Sequence, residues 1–121
     1  MKTLKTGMPS TMAQVAIPYY GYANSTTMQY ANDYMFLPAE KEVFGSRSDS
    51  PSGEANALTQ YAYYKNGGSK IKKYASGSSA WWWLRSIDAS YNQNFCIVNP
   101  RGNVTGSTMS LRNGTSPCFC V

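Results

Sequence analysis

The side chains in this 121-residue chain that could do chemistry are few, and histidine is absent. That removes the commonest general base and metal ligand, and with it any Ser-His-Asp or Cys-His arrangement within the chain. The nucleophiles that remain are Cys96, Cys118 and Cys120. An odd cysteine count argues against a complete disulfide framework. Cys118 and Cys120 are two apart, on one face of an extended segment, where a bridge would be strained. Three small buried thiols in strands is the reading adopted, and no thiolate metal site is expected. Glu40 and Glu42 form the closest carboxylate pair. They fall in the first turn of an expected helix, where the helix dipole explains acids without glycoside chemistry. Calcium needs several oxygen ligands, usually including clustered carboxylates. The C-terminal half offers only Asp88. No catalytic residue, metal or cofactor is therefore assigned.

Arg85 interrupts an apolar run directly after three tryptophans. If buried it must pair, and Asp88, Asp33 or a group of carbonyls could serve. It could also stack on an indole. A structural clamp is the favoured role.

The elements that must position these residues are most legible in the last forty positions. In a strand over Trp81–Ser86, Trp81 and Trp83 share one face, Trp82 and Leu84 the other. Each indole has a large area to bury, so a central strand covered on both faces is expected. Phe95-Cys96-Ile97-Val98 reads as an apolar strand, and Asn99-Pro100-Arg101-Gly102 as a turn with Pro second and Gly fourth. Asn103-Val104-Thr105 begins the return strand, and Pro117–Val121 reads as a closing strand. Upstream, Pro38-Ala39-Glu40-Lys41-Glu42 predicts a helix stopped by Gly45. A second helix is expected over Glu54–Tyr64. Met12, Val15 and Ala16 have helical spacing behind a cap at residues 8–11, whereas residues 19–33 read as loop. The expected core holds Trp82, Trp83, Leu84, Phe95, Ile97, Val98, Phe119 and Val121, with Phe36, Val43, Phe44 and Leu58 from the helical part.

Four ordered landmarks, Leu37–Gly45, Trp82–Ser86, Phe95–Val104 and Gly114–Val121, resemble a domain-of-unknown-function family of gut Firmicutes, their prophages and phages. The resemblance covers residues 34–121 of a single domain spanning 1–121, with 1–33 a divergent or truncated N-terminal part. Ile87 stands where that family often has proline, and Thr115-Ser116 where many members have Val-Arg. The resemblance implies an α+β fold: a C-type-lectin-like twisted antiparallel sheet with two or three short helices, related also to the formylglycine-generating enzymes. It does not by itself imply sugar binding, calcium binding or oxidase activity, because function lives in grafted sites.

Composition bears on function more than any motif. Tyr, Ser, Gly and Asn supply 44 of 121 residues, the mixture of adaptable binding loops. Candidate ligand-binding residues are those on expected loops: Tyr91, Asn92 and Asn94, then Arg101 and Asn103, then Met109, Arg112 and Asn113. The net charge is +5, with Lys70, Lys72 and Lys73 clustered. That cluster reads as a solvated loop, and no nucleic-acid partner is expected. No apolar run reaches membrane-spanning length, so no membrane insertion is expected. The segment Met1–Lys5 lacks the apolar stretch of a secretory signal. The expectation is a non-enzymatic recognition or display domain of a virion or bacterial cell surface, facing a protein or glycan. A structural decoration module without its own ligand is the alternative.

Overall fold

The computed structural model describes residues 12–21, 27–91 and 93–121. The described residues are α+β, with three small antiparallel sheets and three short helices. The main sheet has the order β5-β6-β7, formed by Trp82–Ile87, Asn94–Val98 and Val104–Thr108. Its turn is the one expected. Gly102 N–H donates to the Asn99 carbonyl at 2.9 Å, and Gly102 takes φ 83°, which glycine adopts without steric cost. The Asn99 side-chain oxygen accepts from Arg101 N at 2.9 Å and Asn103 N at 3.1 Å, fixing the loop from within.

One face of this sheet carries the core. Trp82, Leu84, Cys96 and Val98 pack with Val43 and Tyr64, and Phe44, Tyr61 and Val104 border them. The period-2 reading of the tryptophans holds for its buried side. Trp82 and Leu84 are each 1% exposed, and Trp82 Nε1 donates to the Lys70 carbonyl at 3.0 Å. The other side is only partly covered. Trp83 is half-buried and Trp81 is 42% exposed, so the triplet is not shielded on both faces.

The helices are α1 (Glu40–Phe44), α2 (Glu54–Ala57) and α3 (Ala62–Lys65). α1 ends as expected, with Gly45 left-handed at φ 75° and its N–H donating to Lys41 O. Its start differs: Pro38 precedes the cap, and its carbonyl accepts from Arg85 N at 3.0 Å. The single helix expected over Glu54–Tyr64 is instead α2 and α3, separated at Leu58, which is extended. The break lets Tyr61 N–H and the Gln60 side chain satisfy the carbonyls of Glu42 and Val43 at the end of α1.

Three further expectations are corrected. Val15 and Ala16 lie in a strand, β1 (Val15–Tyr19), paired antiparallel with β2 (Gln29–Asp33) in the stretch read as loop. Cross-strand pairing of Val15 with Asp33 and Ala16 with Asn32 overrides the helical spacing, and within β1 it is Ile17, at 7% exposure, that is buried. The cap proposed at residues 8–11 lies outside the described residues. β3 (Lys72–Lys73) and β4 (Ser79–Ala80) form a small ribbon in the expected loop. Among the described residues, the closing segment makes isolated bridges, Cys118 with Phe36 and Cys120 with Ala13. With no regular strand partner there among the described residues, Phe119 and Val121 are 50% and 81% exposed rather than in the core.

Candidate functional site

Four of the six carboxylates are buried: Glu40 and Glu54 at 1% and 3% exposure, together with Glu42 and Asp88. Each has a structural occupation. Glu42 forms a bidentate pair with Arg85, at 2.6 Å (Oε2 to Nη1) and 2.8 Å (Oε1 to Nη2). Glu42 Oε2 also accepts from Ala39 N at 2.8 Å, capping a helix whose cap residue has no polar side chain. Arg85 reaches further. Its Nε donates to Pro18 O and its Nη1 to Leu37 O, both at 2.9 Å, and Phe36 lies 5.8 Å from its guanidinium. The clamp read from the sequence is present, but its carboxylate is Glu42 and not Asp88 or Asp33. Burial alone would lower the Arg85 pKa; the Glu42 hydrogen bonds and charge outweigh it and hold it above its ordinary value.

Glu40 sits in a nest of donors from the following loop. Its oxygens accept from Ser48 N at 2.6 Å, Ser48 Oγ at 2.9 Å and Ser50 N at 2.7 Å, with Asp49 N at 3.2–3.3 Å. Burial pushes this carboxyl up, but the donors more than compensate, and its pKa is lowered. Ser86 links the neighbouring acid. Its Oγ accepts from Glu40 N at 2.8 Å and donates to Glu54 Oε2 at 3.0 Å. Glu54 has fewer donors, and burial raises its pKa.

These opposite shifts predict a stability maximum. Below 4.5, the ordinary value for both, the unfolded chain binds a proton that folded Glu40 resists, so stability falls as pH drops. Above 4.5, folded Glu54 keeps its proton longer than unfolded Glu54, so stability falls as pH rises through its raised value. Melting temperatures measured from about pH 3 to 7 should peak near the shared value. Glu40→Gln should remove the acid-side fall at an overall cost of about 1–3 kcal/mol. Glu54→Gln should flatten the other side.

The thiols divide by environment. Cys96 is fully buried, and burial followed by the surrounding carboxylate charges raises its pKa. Cys118 is half-buried and also shifted up, chiefly by burial. Cys120 is exposed, which corrects the expectation of three buried thiols. Among the described residues, no three acid, cysteine or histidine side chains come together to hold a metal.

The sheet separates the loop candidates into two groups. Asn94 N donates to Tyr91 O, and Asn94 pairs with Thr108, next to Met109. Tyr91 and Met109 are 66% and 59% exposed at that end. Arg101 and Asn103 are exposed at the other end, a five-residue strand or roughly 15 Å away. Gly114 bonds to Trp81 O and Trp83 N, which brings exposed Arg112 and half-buried Asn113 toward that second end. The Asn113 amide nitrogen is buried without a hydrogen-bond partner among the described residues. Asn92 lies outside the described residues.

A feature the sequence reading missed lies between the β1–β2 hairpin and the open face of the main sheet. It is an apolar cleft of about 510 Å³, walled by Ile17, Tyr19, Phe36, Trp83, Phe95 and Met109, with Asp33 and Arg85 at its border. Of its lining, only Met109 had been named from the sequence as a candidate ligand-binding residue. The available signal was the pair Trp81 and Trp83, which alternation sets on the face opposite Trp82.

A family model of a domain of unknown function, DUF6273, matches residues 1–121. The chain belongs to the DUF6273 family. The match spans the whole chain, beyond the residues 34–121 that carried the resemblance. No curated protein and no solved structure matched the DUF6273 chain. Among the described residues, no helix of this DUF6273 domain is long and apolar enough to cross a membrane.

Proposed function

We propose that this domain is a non-enzymatic recognition module of a phage, prophage or bacterial surface, presenting its loops to a protein or glycan partner. The observation that carries this reading is how the polar residues are used. The buried acids and Arg85 are taken up in holding the chain together, with Glu42 bound to Arg85 and Glu40 saturated by a loop. The residues left at the surface are of the kind that anchor partners: Tyr91, Trp81, Met109, Arg101 and Arg112.

A binding screen against glycans and bacterial surfaces tests it. Tyr91→Ala/Met109→Ala and Arg101→Ala/Arg112→Ala each clear one end of the sheet at exposed positions, so melting temperatures should stay within a few degrees. Partner binding that one pair abolishes supports the reading. Binding that survives both pairs, or no binding at all, rejects it.

The alternative, a decoration module packed against neighbouring subunits, draws support from the apolar cleft, since such a surface is normally covered. Under that reading Met109→Lys would block assembly, and the domain would bind no glycan of its own.

A further inference from the structure

We infer that the end of the molecule carrying Trp81 and Arg101 binds an acidic sugar; this rests on the recognition reading and gives it a ligand class. Trp81, Asn99, Pro100 and Arg101 line a shallow depression of about 340 Å³. Trp82 and Trp83 do the packing, so the Trp81 indole, 42% exposed, is left as an apolar platform. The C–H face of a pyranose ring stacks on such a surface. Beside it, Arg101 offers a planar fork suited to a carboxylate or sulfate. The loop that carries Arg101 is rigid, because Asn99 Oδ1 holds the amides of Arg101 and Asn103 and the turn closes on Gly102. Little order must be imposed when a ligand arrives.

The distribution of charge selects the sign of the ligand. Among the described residues, eight cationic residues apart from Arg85 face only Asp33 and Asp49 as unburied acids, which leaves +6 outside the buried set. A surface this short of carboxylates draws anions to it.

The same geometry disfavours a nucleic-acid strand, which needs cations along its backbone and successive aromatic platforms. The lysine cluster does not form such a track. Lys70 Nζ lies over Phe44 at 5.7 Å, and Lys72 Nζ lies 5.5–5.6 Å from the rings of Tyr63, Tyr64 and Trp82, on the core side. One fork beside one indole suits one charged sugar unit.

The test is titration of the chain with polygalacturonate, chondroitin sulfate, neutral dextran and oligo-dT. Binding to an acidic polysaccharide but not to dextran is expected, weakening as salt is added. Trp81→Ala and Arg101→Ala should each weaken it at least about tenfold, and Arg101→Lys should fail to restore it. Tyr91→Ala should leave it unchanged. Equal melting temperatures for all variants establish that they fold. Binding insensitive to Trp81 and Arg101, or oligo-dT bound as tightly as the glycans, overturns the inference. If no acidic polysaccharide binds while the wider screen finds another partner, the acidic-sugar site fails and the recognition reading stands. If nothing binds in either experiment, both fail.

Discussion

Glu42→Ala should lower stability by about 3–5 kcal/mol, a large part of what a domain of this size possesses. The substitution removes the bidentate partner of Arg85, whose side chain is 11% exposed, and strands a guanidinium that water barely reaches. It also frees the Ala39 amide at the start of α1. Two measurements separate these effects in urea or thermal unfolding. Glu42→Gln keeps an acceptor for Ala39 but discards the charge, and should recover only a minority of the loss. Combining Glu42→Leu with Arg85→Met removes both charges, and should recover more than either single change predicts, because an apolar pair leaves no buried ion unpaired. Simple additivity in the double variant would refute the clamp as the source of the effect.

The three adjacent tryptophans should respond very differently to truncation. Trp82→Ala should cost about 3–5 kcal/mol, through lost burial, the cavity left behind and the unpaired Lys70 carbonyl. It also removes one of the three rings around the Lys72 ammonium. Trp81→Ala should shift stability by no more than about 0.5 kcal/mol, since the ring is 42% exposed and at the rim of a depression. Trp83→Ala, on the wall of the apolar cleft, should fall between them. Denaturant midpoints read this order directly. A Trp81→Ala loss approaching that of Trp82→Ala would mean the indole is a packing residue, and the ligand-platform role would go with it.

What could be read from the sequence was local. The α1 region carries its own signals in acids, a preceding proline and a left-handed glycine; the helix formed and stops at Gly45 as expected, although it starts at Glu40 rather than at Pro38. The β6–β7 hairpin is specified by Asn99 through Gly102, whose side chain and backbone close the turn unaided. The faces of the tryptophan strand followed from alternation, although only one proved fully covered. The misses were tertiary. Val15 and Ala16 have helical spacing, yet pairing with Asn32 and Asp33 overrides it. Glu42 looked like a dipole residue because its cap role is local, whereas its partner Arg85 lies 43 positions away. Of the described loop candidates, Tyr91, Arg101, Asn103, Met109 and Arg112 are exposed, and Asn94 and Asn113 are half-buried. That they sit at opposite ends of a sheet was not legible, because it depends on strand direction and register. The apolar cleft depends on how the β1–β2 hairpin sits over the sheet, and no spacing rule encodes that.

The Arg85 clamp also governs when this chain can fold. Its side chain joins Pro18, Leu37 and Glu42, which lie 67, 48 and 43 residues earlier. Each connection closes a long loop before it gives anything back, and contacts of that separation slow folding. During synthesis, Glu42 must leave the ribosome and wait, without its guanidinium, while the 43 residues up to Arg85 are made. The helical part is then only a collection of short turns, too short to hold their shape alone. The clamp therefore closes late. Weakening it should mainly hasten unfolding and leave the folding rate nearly unchanged, so the lifetime of the folded domain is held by the last contacts to form.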